Sequence, residues 1–254
     1  MFDALDSVTR SCYRSFLRLP GARLIDDGEV FGVITGVTVP FFNGIATTRL
    51  RDGARIGEIA AIYRDERRAF RWWVTPASTP AGLDTLLLAN GFRHAYDSLG
   101  MTADLSTLRT ARPNSLRIER VRTAAEMRVF CDVVGDVFGQ PEEGRRAWHS
   151  AYVGLGLDDD SPWTNFIAYL GDTPVATTNV LVDGDLAGIY LVATLPAARG
   201  QGAGSALTLH AMQHARDRGA RTAALQSSEM GESVYRSVGF IDGPTLRLYE
   251  WRPE

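Results

Sequence analysis

The sequence predicts an α+β (mixed α/β) protein of two domains, each a mostly antiparallel central sheet flanked by helices. Three observations predict it. A chain of 254 residues, 45% of them hydrophobic, has room for two packed cores. Near its middle the stretch Leu105 to Ser115, with Ser106, Thr107, Pro113 and Asn114, is polar and lacks apolar periodicity, dividing residues 1–112 from 113–254. After that boundary, period-two and helical patterns succeed one another, and turn signals short enough for hairpins separate the strands.

The elements of the C-terminal half follow in order. Leu116 to Val121 alternates as a short strand, and Thr123 with Glu126 forms a capping box that opens a helix carrying Met127, Phe130, Cys131 and Val134 on one face. A second helix follows Pro141, since proline suits a helix start, and runs through Trp148 and Tyr152 before Gly154 and Gly156. Strands over Asn165 to Leu170, Val175 to Val182 and Leu186 to Ala193 are separated by Gly171-Asp172 and Asp183-Gly184. A helix from about Gly204 to Arg218 repeats Leu207, Ala211 and His214 at helical spacing and stops at Gly219. A strand at Thr222 to Gln226, a helix at Glu232 to Val238 and a strand at Leu246 to Trp251 finish the half.

Composition narrows the chemistry. The net charge of -3 argues against an extended nucleic-acid surface, which needs clustered positive charge, and favours a small-molecule partner. All 27 basic residues are arginine, so neither a Schiff-base lysine nor a phosphate-loop lysine is available. Cys12 and Cys131 show neither disulfide-framework nor zinc spacing, which fits a reducing cytoplasm and no metal. Acids precede Arg10, Arg14 and Arg18, the wrong order for a secretory signal, and no apolar run is long enough to span a bilayer.

The segment Val192 to Ser205 reads as a strand, a glycine-rich loop and a helix start. Gly200, Gly202 and Gly204 let the backbone approach a phosphate closely, and the helix dipole adds partial positive charge at the same place. Arg199, Gly202 and Gly204 spell R-x-x-G-x-G, and Tyr235 to Phe240 spell Y-x-x-x-G-F. In these motifs, their separation and the element order from Leu116 to Trp251, the chain resembles the GNAT N-acetyltransferase superfamily.

The resemblance implies acetyl-coenzyme A as co-substrate and a site carried over by position. Backbone amides of Gly200, Gln201, Gly202, Ala203, Gly204 and Ser205 would hold the diphosphate, in a cofactor-binding loop that Arg199 opens. The strand of Leu191, Val192 and Ala193 would part from the strand ending near Gln226, with the pantetheine arm between them. N–H groups at Val192 and Ala193 would polarise the thioester carbonyl, and Tyr235 would donate a proton to the leaving thiolate. Ser228 stands where many members place asparagine, and its hydroxyl can still hydrogen-bond the cofactor.

No carboxylate lies on the strand Leu186 to Ala193, so Glu229, Asp185 or a water chain remain as candidates for the base, each acid also reading as a solvated charge. His210 and His214, one turn apart, have no third ligand beside them and read as ordinary helix surface. Asp158-Asp159-Asp160 reads as a solvated loop or as bait for a cationic amine.

The N-terminal half echoes the pattern in Trp72-Trp73-Val74, then Leu86 to Phe92, then Met101 to Leu105, and is read as a degenerate unit of the same kind. Leu87 stands where Tyr235 would. The loop Arg51 to Arg55 has one glycine, ahead of a helix carrying Ile56, Ile59, Ile62 and Tyr63, so no phosphate cradle forms. This half supports its neighbour, walls an acceptor pocket or makes a homodimer contact. Phe41-Phe42-Asn43-Gly44 is read as a turn between core aromatics or as pocket lining. The expected activity is transfer of acetyl to an amine of a small molecule, with no nucleic-acid or membrane partner. A non-catalytic acyl-coenzyme A sensor and a dinucleotide binder are the alternatives.

Overall fold

The computed structural model of the chain describes residues 2–108 and 116–253, so the boundary at 112/113 lies outside the described residues. The chain forms two compact units, Met1–Gly100 with Gly243–Glu254, and Met101–Asp242. Both are α+β, with mostly antiparallel sheets flanked by helices, as the sequence predicts.

The first unit contains α1 (Phe2–Ser15), β1 (Arg23–Asp26), β2 (Val30–Ile34), β3 (Gly44–Thr48), α2 (Arg55–Asp65), β4 (Phe70–Val74), α3 (Leu83–Ala89) and most of β5 (Arg93–Asp104). Its strand order is β1-β2-β3-β4-β11-β5, where β11 (Ile241–Trp251) arrives from the far end of the chain. Arg247 pairs with Val74 and Trp251 with Phe70, antiparallel. The sequence reading placed Leu246 to Trp251 in the C-terminal half; its alternation correctly shows that Leu246 and Leu248 are buried, but alternation carries no label for the neighbouring strand. Helix α2 buries Ile56, Ile59, Ala60 and Tyr63 against Phe70, Trp72 and Leu87, while Ile62, expected on the same face, is 38% exposed. Phe42 and Asn43 are wholly buried, and Asn43 Oδ1 accepts from the Thr35 N–H, so this segment is a core turn.

The second unit begins with the last residues of β5 and continues with β6 (Leu116–Arg120), α4 (Ala124–Phe138), α5 (Glu142–Leu155), β7 (Trp163–Leu170), β8 (Thr173–Asp183), β9 (Leu186–Thr194), α6 (Ala203–Asp217), β10 (Thr222–Ser227) and α7 (Glu232–Ser237). Its order is β5-β10-β9-β8-β7-β6, antiparallel from β6 to β9 and parallel between β9 and β10. The capping box forms as expected: Thr123 accepts from the Glu126 N–H, whose carboxylate accepts from the Thr123 N–H. Helix α5 follows Pro141, its N-cap, as expected. Successive side chains of a strand point to opposite faces, and β7 shows which helix covers which. Trp163 meets Tyr152 of α5, with ring centroids 5.9 Å apart, whereas Phe166 meets His210 of α6 at 4.7 Å.

Candidate active site

Strands β9 and β10 are paired over three positions, Thr222 with Leu186, Ala223 with Ala187 and Ala224 with Gly188. Pairing stops there, although β9 continues to Thr194 and β10 to Ser227. The loss of register coincides with a bulge on the other edge of β9. Asn179 faces Tyr190 and Thr177 faces Ala193, so β9 takes one residue more than β8 over this interval. Leu191 absorbs the extra step in the left-handed region, at φ +49°, which a branched side chain adopts only when its surroundings impose it. Two threonines of β8 supply that imposition: the Thr177 hydroxyl donates to the Leu191 carbonyl (3.2 Å) and the Thr178 hydroxyl to the Tyr190 carbonyl (3.3 Å). Val192 and Leu191 are half-buried and Ala193 is buried.

From β9 the chain enters a tight turn at Pro196–Ala198, pinned by Arg199 Nε donating to the Thr194 carbonyl (3.2 Å) and Gln201 Nε2 to the Ala197 carbonyl (3.2 Å). Gly200 and Gly202 have φ of +75° and +81°, and a methyl carbon at either would meet nothing within 4 Å. Both glycines are therefore required by conformation, and both leave the approach to the main chain open. Gly202 caps α6 with no side-chain bond. Helix geometry leaves the N–H groups of Ala203, Gly204 and Ser205 without intrahelical acceptors, at the positive end of a 15-residue dipole. A methyl carbon on Gly204 would stand 3.6 Å from Val234 Cγ1 and 4.0 Å from Val192 Cγ1, so the loop, the bulged strand and α7 converge at this glycine.

Tyr235 lies on α7, half-buried, its ring against Phe240 at 5.9 Å. Burial pushes its phenol up to about 12. Its carbonyl accepts from the Val238 and Phe240 N–H groups, which is the local reason the Y-x-x-x-G-F segment turns back into a strand. Gly231, which sequence reasoning missed, makes room for the ring: a methyl carbon there would lie 2.7 Å from Tyr235 Cε2. Its spacing of four residues from Tyr235 was the available signal.

The other candidates fall elsewhere. Ser228 and Glu229 are exposed at the end of β10. Asp185 is exposed at the opposite end of β9, six residues before Leu191, or about 20 Å along a strand, too far to serve as the base. Within the acidic run Asp159 is engaged with arginines: Arg120 pairs with it and donates to the Asp158 carbonyl, and Arg122 lies 3.5 Å from it, while the Asp158 carboxylate accepts from the Ser161 N–H.

His210 and His214 are half-buried against Phe166 rather than on open helix surface, because β7 continues beneath that turn of α6. No group of three or more potential metal ligands occurs among the described residues. Burial, aided by Arg218, pulls the His214 imidazole down to about 4. The unfolded chain protonates this group near 6.5 and the folded chain resists it. This contribution to stability is therefore complete above pH 6.5 and declines as the pH falls toward 4. Denaturant midpoints at pH 7 and pH 5 check this, with His214→Gln expected to narrow the difference; an unchanged difference would refute it.

Comparison with known proteins adds two findings. The family described as the acetyltransferase (GNAT) domain matches residues 105–229, which include the bulged strand and the glycine loop and end before Tyr235. A GCN5-related N-acetyltransferase from Kribbella flavida shares the fold with a TM-score of 0.73 at 18% identity, over 98% of this chain and 96% of that one. A GCN5-related N-acetyltransferase from Sphaerobacter thermophilus superimposes at 0.63 with 16% identity, over 99% and 92%. A tandem GNAT protein from the clavulanic acid biosynthesis pathway does so at 0.61 with 14% identity, over 96% and 88%. No curated protein matches the chain in sequence. With the domain match falling on the residues that build the parted strands and the glycine loop, residues 105–229 are identified as a GNAT acetyltransferase domain.

Proposed function

We propose that the chain is an N-acetyltransferase that moves acetyl from acetyl-coenzyme A to the amine of a small molecule, using the second unit. One observation carries the reading: the strand pairing that ends at Gly188 and Ala224 beside a bulge, with an open, glycine-lined helix start at the end of the same strand. The cradle fits a diphosphate, since Gly200 and Gly202 present main chain to open space. Bound acetyl-coenzyme A supplies the thioester. Main-chain N–H groups from Gly200 to Ser205 grip the diphosphate, and Leu191 to Ala193 present the strand edge that orients the arm and polarises the carbonyl. Tyr235, whose phenol stays protonated throughout the neutral range, delivers its proton to the departing sulfur.

The first unit lacks these provisions, and we assign it a supporting role without coenzyme. At the start of α2, Asp52 Oδ1 already accepts from the Ala54 N–H (2.9 Å), filling with a carboxylate the place an anionic ligand would take. Arg55 is committed to Asp27 and Glu29. Pairing between β3 and β4 also stops early, but there Trp72 Nε1 donates to Thr48 Oγ1 (2.8 Å) across the interval. Leu87 is wholly buried in the core.

A panel of amines assayed for release of free coenzyme A thiol tests the reading. Release with at least one amine is expected, and none with any amine counts against transfer. Gly231→Ala is expected to displace the Tyr235 ring and to lower kcat by about tenfold or more with coenzyme affinity retained. A wild-type kcat in that variant would show that the ring position is immaterial.

A further inference from the structure

Outside the groups already assigned, the most unusual chemistry in the second unit is a row of side chains across three strands. Asn165 on β7 lies directly opposite Asn179 on β8, and Asn179 directly opposite Tyr190 on β9, so the three share one face of the sheet. It is the face of Trp163, which is two residues from Asn165 and packs on both Tyr152 of α5 and Tyr190, the latter with centroids 5.4 Å apart. Asn165 is 1% exposed and Asn179 0%. Asn165 Oδ1 and both Asn179 Oδ1 and Nδ2 are buried without a hydrogen-bond partner. Buried carboxamides are ordinarily satisfied, because an unmet donor or acceptor in the interior is costly. Here three such atoms, two acceptors and one donor, gather on the two strands next to the bulged β9, and the row reaches partial exposure at Tyr190.

We propose that Asn165 and Asn179 form a recognition subsite for the acceptor, and that the acceptor is an amine bearing a neutral group that both donates and accepts hydrogen bonds, a hydroxyl or a carboxamide. The inference rests on the acetyl-transfer reading for its location and on the two amides for its chemistry. A hydroxyl or carboxamide donates to a carboxamide oxygen and accepts from Asn179 Nδ2, which removes the mismatch on both sides. A charged substituent does not suit this face. The sheet residues flanking the row, Trp163, Ile167 and Leu181, are neutral. A carboxylate or ammonium buried there would lack a counter-ion.

The experiment compares primary amines matched in size that carry hydroxyl, carboxamide, methyl, carboxylate or ammonium at the same position, such as 3-aminopropan-1-ol, n-butylamine and 1,3-diaminopropane. Two readouts are taken, the rise in melting temperature on adding the amine and the kcat/KM for thiol release. The wild type is expected to favour the hydroxyl or carboxamide amine over the methyl one by about tenfold or more. In Asn179→Leu that ratio is expected to fall to about one with the acetyl-coenzyme A response intact. In Asn179→Asp, a change of nearly the same shape that guards against misfolding of the leucine variant, preference is expected to move to the ammonium-bearing amine. A thermal response to the neutral polar amines without thiol release would sink the transfer reading and leave the subsite standing. Release with no preference for them, or a preference unchanged in both variants, overturns the subsite, as does the absence of any thermal response to them. A leucine variant that is merely more stable, with the panel unchanged, would mean that the amides only bind internal water.

Discussion

Replacing Gly202 by glutamate is expected to abolish the rise in melting temperature that acetyl-coenzyme A gives the parent protein. The position is the N-cap of α6, where a side chain would extend into open space beside the first N–H groups of the helix. A carboxylate there supplies internally the anion that the helix start attracts and repels the diphosphate that would compete for it. With ligand at about 100 times its Kd, binding contributes roughly 2.7 kcal/mol, or about 5–10 °C for a chain of this size. The variant is expected to show none of it. Because Gly202 has φ of +81°, any side chain also introduces backbone strain. Gly202→Ala separates the two effects: it shares the strain, lacks the charge, and is expected to keep part of the ligand response. An unaltered response in Gly202→Glu would remove the cradle from consideration.

The second large effect is expected from Tyr235→Phe, which deletes one oxygen from a ring otherwise held by Phe240 and by the space at Gly231. Loss of a positioned general acid costs about 100-fold or more in kcat, while coenzyme affinity, set at the loop, stays within about twofold. The pH profile carries the second half of the test. Burial pushes the phenol up to about 12, so the acidic form persists through pH 10, and Tyr235 should impose no alkaline decline below that. Rapid turnover by the phenylalanine variant would assign the proton to another donor.

Much of this arrangement was legible because the relevant signals are local. Gly171 and Gly184, at φ of +58° and +60°, form the turns that their sequence neighbours suggested, and those turns fix the antiparallel order of β7, β8 and β9. Thr123 and Glu126 cap α4 reciprocally, as residues three apart can. The glycine loop was legible for the same reason. The bulge was not. Leu191 in a left-handed conformation is held by hydroxyls of Thr177 and Thr178, which lie more than ten positions away and whose own sequence context is that of an ordinary strand. The paired amides of Asn165 and Asn179 were equally invisible, since cross-strand register is decided by the whole sheet rather than by either segment. Helix α1 was missed although Leu5, Val8, Cys12 and Tyr13 recur at helical spacing on one buried face, a signal as local as the others.

The route of the backbone through the two units constrains how the protein can be dissected. Strand β11 is synthesised after every strand of the second unit yet inserts beside β4, while Met101 and Ala103, made much earlier, lie buried in the second unit. A gene severed between its halves would yield one fragment deprived of Leu246, Leu248 and Tyr249 and another deprived of Met101 and Ala103, each with a raw sheet edge. The halves are best produced together, because an excised C-terminal half would keep the glycine loop and the bulged strand without the complete scaffold that holds them.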